Sequence, residues 1–186
     1  KIKEKSQEGL RLISICRVNK IKNLEFLIDL MFKIDFKCFL EIVGFIEDEI
    51  YHKSLINKLK TLPKNVQIIF TGELSGLKII DLINNADLFI STSLNENYGH
   101  SIVESLSTGT PVLISEHCPW NNLDEFNAGF KMPLEPNIFI DKLKQFNNME
   151  AGNFEKYNFG AREYYDNHIS SDLFKDTYIK MLTTKK

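Results

Sequence analysis

Short, almost unbroken apolar runs alternate with longer segments of helical period along this chain, and that alternation constrains the fold more than any other feature. LRLISICRV (10–18), CFLEIVG (38–44), VQIIFTG (66–72), DLFISTS (87–93) and PVLIS (111–115) have the length and continuity of buried strands. Between them, residues 23–34 place Leu24, Leu27, Ile28 and Met31 on one helical face, with Asn23 as the expected N-cap. A helix within 48–62 begins acidic and ends with Lys58 and Lys60, as the helix dipole prefers. Ser75 is expected to cap a helix carrying Leu77, Ile80 and Ile83, and residues 99–107 to form another that Gly109 stops. A short helix over 121–127, a weak sixth strand over 129–132 and two or three helices after Pro136 complete the order. Strands that are apolar throughout and separated by helices predict an α/β fold. It is a Rossmann-like, doubly wound parallel sheet of about six strands with helices on both faces. Ligands of such sheets bind beyond the carboxyl ends of the strands, near the point where strand order reverses.

A chain of 186 residues suits one well-cored domain. Residues 1–9 read as a tail or interdomain connector, 10–150 as the ligand-binding domain and 151–186 as C-terminal helices packing on it. The formal charge of −2 argues against a nucleic-acid partner, whose phosphates call for a basic surface. No apolar run approaches the roughly 20 residues of a membrane-spanning helix, and the charged residues 1–8 do not resemble a signal peptide. Cys16, Cys38 and Cys118 form no CxxC and are expected to be reduced thiols in a cytoplasmic protein. The four histidines have no metal-ligand spacing, so no metal site is expected.

The strand-end rule directs attention to the loops after strands one, three, four and five. After strand one, Arg17 closes the run while Lys20 and Lys22 stand just before a helix N-terminus. Unpaired N–H groups there, joined by a guanidinium fork and an ammonium, would suit a diphosphate. Solvated loop cations would give the same sequence. After strand four, Asn95-Glu96-Asn97-Tyr98-Gly99-His100 opens a helix that contains Glu104. Side chains lean toward a helix N-terminus, which brings Glu104 back toward the same crevice, where a carboxylate can accept hydrogen bonds from vicinal hydroxyls. Gly99 would let a ligand approach the backbone. The bland reading is a capped helix with a solvated glutamate.

Taken in order, Cys16-Arg17, Lys22-Asn23, Ala86-Asp87-Leu88-Phe89-Ile90, Ser93, Glu96-Asn97-Tyr98-Gly99, Glu104-Ser105 and Gly109-Thr110-Pro111-Val112 resemble the retaining GT-B glycosyltransferases of glycosyltransferase family 4, also called glycosyl transferases group 1. The resemblance covers roughly residues 10–150 and lies in the C-terminal, donor-binding domain of that family. It implies one lobe of a GT-B fold and makes 10–150 the nucleotide-sugar-binding domain. It also implies that Arg17 and Lys22 contact the donor diphosphate and offset charge on the leaving group. Glu104 would accept the nucleotide ribose, and Glu96 would lie beside the donor sugar. Asn97, Tyr98, Gly99, His100 and Ser101 would approach sugar hydroxyls or phosphate, and Gly72 to Leu74 the base. Glu96, Arg17 and Lys22 are thereby the candidate catalytic residues. Three positions depart from the pattern: Cys16, Asn23 and Asn97 stand where the family has glycine, and position 97 therefore needs a backbone angle that asparagine tolerates. Cys118-Pro119-Trp120 with Asp124-Glu125 is similar to a segment of a surface-polysaccharide subset, Trp120 being a packing residue first and an acceptor contact second.

The implied function is transfer of a hexosyl group from a UDP- or GDP-sugar to a hydroxyl of a saccharide or lipid-linked acceptor, with retention, in surface polysaccharide or glycoconjugate synthesis. No cofactor and no metal are expected. The acceptor lobe, N-terminal in the family, lies outside this sequence, so the chain is expected to bind nucleotide weakly and to be inactive alone. The resemblance further implies a cytoplasmic location, with peripheral association of the full enzyme at the inner face of the membrane. A non-catalytic nucleotide-binding or interaction module derived from such a lobe is the alternative. A glycoside hydrolase using Glu96 and Glu104 leaves Arg17 and Lys22 unexplained, and a dehydrogenase is disfavoured because the first strand–helix loop lacks GxGxxG.

Overall fold

The computed structural model describes residues 4–74 and 76–169. Six strands, β1 (Leu10–Ile15), β2 (Cys38–Val43), β3 (Val66–Gly72), β4 (Leu88–Ser91), β5 (Val112–Ser115) and β6 (Gly129–Met132), form one sheet in the order β3-β2-β1-β4-β5-β6. Every pairing is parallel. The chain runs outward from β1 to β3, then crosses back to β4, so strand order reverses between β1 and β4. The crevice above these two strands is where ligands of doubly wound sheets bind.

Among the described residues four α-helices separate the strands, α1 (Leu24–Met31), α2 (Glu49–Leu59), α3 (Leu77–Asn85) and α4 (His100–Ser107), and two follow them, α5 (Pro136–Asn147) and α6 (Ala151–His168). Strand side chains alternate between two cores. Leu88 and Ile90 of β4 join α1, α2 and α5 on one face, while Phe89 joins α3, α4 and α6 on the other. Leu27 and Ile28 of α1 are completely buried, each contributing roughly 1.5–3 kcal/mol. The two-sided burial explains why the central strands read as continuous apolar runs. At the edge the pattern loosens: Gln67, Ile69 and Thr71 of β3 are exposed on the second face.

Several local expectations are corrected. The first strand ends at Ile15, and Val18 instead makes a single parallel bridge to Ile46. Asn23 caps no N–H with its side chain; it adopts a left-handed angle (φ 52°) between a 3-10 turn, Lys20–Lys22, and α1. Asn19 caps the 3-10 turn, accepting from the Lys22 N–H at 3.2 Å, and α1 itself has no side-chain cap. Residues 123–127 form turns rather than a helix. Left-handed angles at Asn122 and Asn127 bracket them, and the Ala128 N–H closes back on the Leu123 carbonyl at 2.7 Å. Ser75 lies outside the described residues, and Gly76 occupies the position before α3.

Residues 4–9, within the segment expected as a tail or interdomain connector, make contacts with the body of the domain. The Lys5 ammonium donates to the Asn147 carbonyl, and Asp87 accepts from the Ser6 N–H at 2.9 Å. The second oxygen of Asp87 accepts from the Arg11 N–H at 2.8 Å. This buried aspartate, which precedes β4, therefore fastens the start of β1 at the end of the sheet opposite the crevice.

Candidate active site at the ends of β1 and β4

Polar residues take over where the apolar strands stop, and their side chains stitch three loops together. The Thr92 hydroxyl donates to the Asn23 carbonyl at 3.1 Å, and the Leu94 N–H to the Ile21 carbonyl at 2.8 Å. The Ser93 hydroxyl donates to Asn95 O at 2.8 Å, and the Ser115 hydroxyl from β5 to Ser93 O at 2.5 Å. The Glu96 N–H reaches the His117 carbonyl at 3.3 Å. The turn carrying Lys22 and the loop carrying Glu96 are thus fixed to each other by backbone contacts.

Across that junction the Lys22 ammonium meets the Glu96 carboxylate at 2.5 Å, both side chains largely withdrawn from solvent. The two residues are 74 positions apart in sequence. Beneath them lies Cys16, at the end of β1. Desolvation pushes its thiol up to about 11, against the pull of a Ser14 hydrogen bond and the Lys22 charge. The Cys118 thiol is raised for the same reason, with Ser115 and Ser91 opposing and Glu96 adding to the rise. Neither thiol is poised to act as a nucleophile at neutral pH.

Arg17 is placed differently from Lys22. Its guanidinium is largely exposed and is held by Glu47 at 2.6 Å, on the loop after β2. Lys22 and Glu96 are in direct contact, whereas Arg17, earlier on the same β1–α1 loop, is paired with Glu47 and touches neither of them. Glu104 stands half-buried in the second turn of α4, and its carboxylate makes no hydrogen bond or ion pair to any described residue. It is available to accept from a ligand.

The loop into α4 presents the remaining residues. Asn97, Tyr98 and His100 are exposed and Ser101 half-buried. Tyr98 and His100 stack at a tilt with centroids 4.9 Å apart, and Trp120 meets Tyr98 edge-on at 5.3 Å. The Trp120 indole N–H donates to the Tyr98 carbonyl at 2.7 Å, so Trp120 anchors this loop as well as packing on the core. The left-handed angle falls at Gly99 (φ 77°), not at Asn97. A Cβ at Gly99 would lie 2.7 Å from Ile102 Cδ1, so this glycine permits the tight turn into the helix. No side chain caps α4, which leaves its first N–H groups to other acceptors.

Gly72 lies at the end of the outer strand β3 with open space around its Cα. Leu74 packs partly into the second core. Sequence reasoning missed Thr92, Ser115 and Glu47. The first two were signalled only by the change from apolar to hydroxyl residues at the strand ends. Among the described residues no cluster of three or more His, Cys, Asp or Glu could hold a metal ion.

An open, all-parallel α/β sheet, with charged groups from two loops converging where strand order reverses, defines a Rossmann-like ligand-binding domain of the type that forms one lobe of GT-B glycosyltransferases. The chain belongs to the family Glycosyl transferases group 1, which it matches over residues 1–123. It is 38% identical over 72 residues to the alpha-monoglucosyldiacylglycerol synthase of Streptococcus pneumoniae, a stretch covering 37% of this chain and 16% of that protein. In structure it resembles Anabaena Alr3699/HepE, solved with UDP and glucose, at a TM-score of 0.74 and 19% identity, covering 95% of this chain and 49% of that one. It also resembles a glycosyltransferase from Rickettsia africae ESF-5, at a TM-score of 0.75 and 21% identity with the same coverage, 95% and 49%. The chain spans about half the length of these solved relatives. No helix among the described residues is long and apolar enough to cross a membrane.

Proposed function

We propose that this chain is the donor-binding half of a retaining glycosyltransferase, which holds a nucleoside-diphosphate sugar above β1 and β4 for transfer of a hexosyl unit to a hydroxyl acceptor. The observation that carries the reading is the Lys22–Glu96 pair at 2.5 Å, because it joins the residue expected on the diphosphate to the one expected beside the sugar. Lys22, Arg17 and the uncapped start of α4 supply positive potential for a leaving diphosphate, in place of a metal ion. Glu104 is the acceptor for the ribose hydroxyls, and Gly72 to Leu74 lie toward the base. Asn97, Tyr98, His100 and Ser101 line the approach to the sugar.

UDP is favoured over GDP as the nucleotide by the UDP held in Anabaena HepE. A lipid-linked acceptor is favoured by the synthase of Streptococcus pneumoniae, and a saccharide acceptor remains the other candidate. We place the full enzyme in the cytoplasm, at the inner membrane face, in surface polysaccharide or glycoconjugate synthesis.

The test is reconstitution. The full-length enzyme, or this chain combined with its missing acceptor lobe, is incubated with UDP-glucose and a diacylglycerol or oligosaccharide acceptor, and the anomeric configuration of the product is read by NMR. Transfer with retention is expected. Lys22→Ala and Glu96→Gln should each lower kcat/KM by about 10²–10³ (2.7–4 kcal/mol). Transfer that persists at the wild-type rate in both variants would refute the assignment, and a non-catalytic module would give no transfer at all.

A further inference from the structure

The loop after β2 is tied to the loop after β1 with unusual closeness. At Gly44 the chain passes directly over Cys16: φ is 146°, and a Cβ there would lie 2.0 Å from the Cys16 carbonyl oxygen. Only glycine permits that crossing without displacement of the backbone. Beyond it, the Val18 N–H donates to Phe45 O at 2.8 Å, and Val18 bridges to Ile46. The N–H groups of Glu47 and Asp48 then both donate to Val18 O, at 3.3 and 3.0 Å. Asp48 in turn caps α2, accepting from the Tyr51 N–H at 2.9 Å. The backbone of Glu47 is therefore fixed on both sides, by a strand-like bridge before it and a helix start after it.

Its carboxylate reaches back with both oxygens. One accepts from Arg17 Nη1 at 2.6 Å and the other from the Asn19 amide. Asn19 also accepts, through its own side-chain oxygen, the N–H of Lys22 at 3.2 Å. A single carboxylate thus grips the arginine directly and, through Asn19, the turn that presents the lysine.

A stabilising role does not account for this arrangement. The Arg17 and Glu47 side chains are 63% and 39% exposed, and an ion pair so exposed contributes only about 0–1 kcal/mol to folding. Its effect on a ligand is larger, because an arginine held in one rotamer has already lost the freedom that anion binding would otherwise cost. Among the described residues Glu47 is bound to only one terminal nitrogen of the guanidinium, which leaves Nη2 and Nε to donate elsewhere.

We propose that Glu47 is a positioning residue for the diphosphate site, acting through Arg17 and through the Asn19 turn that carries Lys22. The inference rests on the donor-binding reading above. It assigns to the β2–α2 loop the task of pre-forming the part of the site that faces the second phosphate of a nucleoside diphosphate.

The experiment compares UDP with UMP, and GDP with GMP, by titration calorimetry on the intact chain, in wild type and in Glu47→Ala, Glu47→Gln, Arg17→Ala and the Arg17→Ala/Glu47→Ala double variant. Thermal melts confirm that each variant folds, and Glu47→Gln retains the side chain's volume. Glu47→Ala should weaken diphosphate binding about five- to tenfold, and the double variant should bind no more weakly than Arg17→Ala alone by more than about twofold. UMP binding should change less than about twofold, a split between nucleotides that a purely structural loss would not produce. Unchanged or tighter UDP binding in Glu47→Ala would overturn the proposal, since the carboxylate would then be a bystander or a competitor for Arg17. Equal losses for UDP and UMP, or full additivity with Arg17→Ala, would overturn it as well. A wild-type chain that binds none of these nucleotides refutes the underlying site, and the role of Glu47 with it.

Discussion

At Asn23 the backbone turns through a left-handed angle between the Lys22 turn and α1. Asparagine tolerates that region better than other residues with a side chain, and glycine tolerates it without cost. The family residue at this position is glycine, which the geometry explains. Asn23→Gly should therefore leave stability within about 1 kcal/mol of wild type. Asn23→Val should lose about 1–3 kcal/mol, because a β-branched residue is strained there. Urea unfolding measures both; equal stability of the two variants would contradict the backbone argument. The sequence could not distinguish this role from an N-cap, because the short amide of asparagine is favoured in both positions. Glu47 was illegible for another reason. Its partners lie 30 and 28 residues away, and only the β1–β2 pairing brings them together. Lys22 and Glu96 were each legible as candidates through the family pattern, yet their contact depends on the crossover that sets β4 beside β1.

The strands were legible as short apolar runs between helical segments. The edge strands, residues 66–72 and 129–132, were expected with the bounds observed. The central strands, buried on both faces, differ only at their ends, where the apolar run continues past the last ladder pair. Residues 121–127 were misread because polar and acidic residues around Leu123 and Phe126 suit a short helix as well as turns. The two left-handed asparagines that prevent a helix are not marked by composition. At the sheet end away from the crevice, Asp87 links two elements by accepting from the Ser6 and Arg11 N–H groups. Asp87→Ala would leave two partly buried backbone donors without this acceptor and should cost about 1–3 kcal/mol. The expected sign is a lower urea midpoint, with the far-UV spectrum unchanged below the transition. A loss under about 0.5 kcal/mol would mean that other groups take over its role.

At the scale of the whole chain, the strand ends of one parallel sheet carry the candidate site, and the chain spans about half the length of Anabaena Alr3699/HepE and of the Rickettsia africae glycosyltransferase. If the chain is the donor half proposed above, its binding of nucleotide alone should be weak, because an opposing lobe would add contacts and exclude water that otherwise screens the charges. Lys22, beside Glu96 in the turn between β1 and α1, is proposed to mark a site for a nucleoside diphosphate. The measurement that tests it most directly is a calorimetric titration of UDP into the chain, repeated with Lys22→Ala. Binding in the micromolar to millimolar range, weakened about tenfold or more in the variant, is the predicted result. No heat of binding at millimolar UDP, GDP or ADP, or identical binding by wild type and Lys22→Ala, would contradict it.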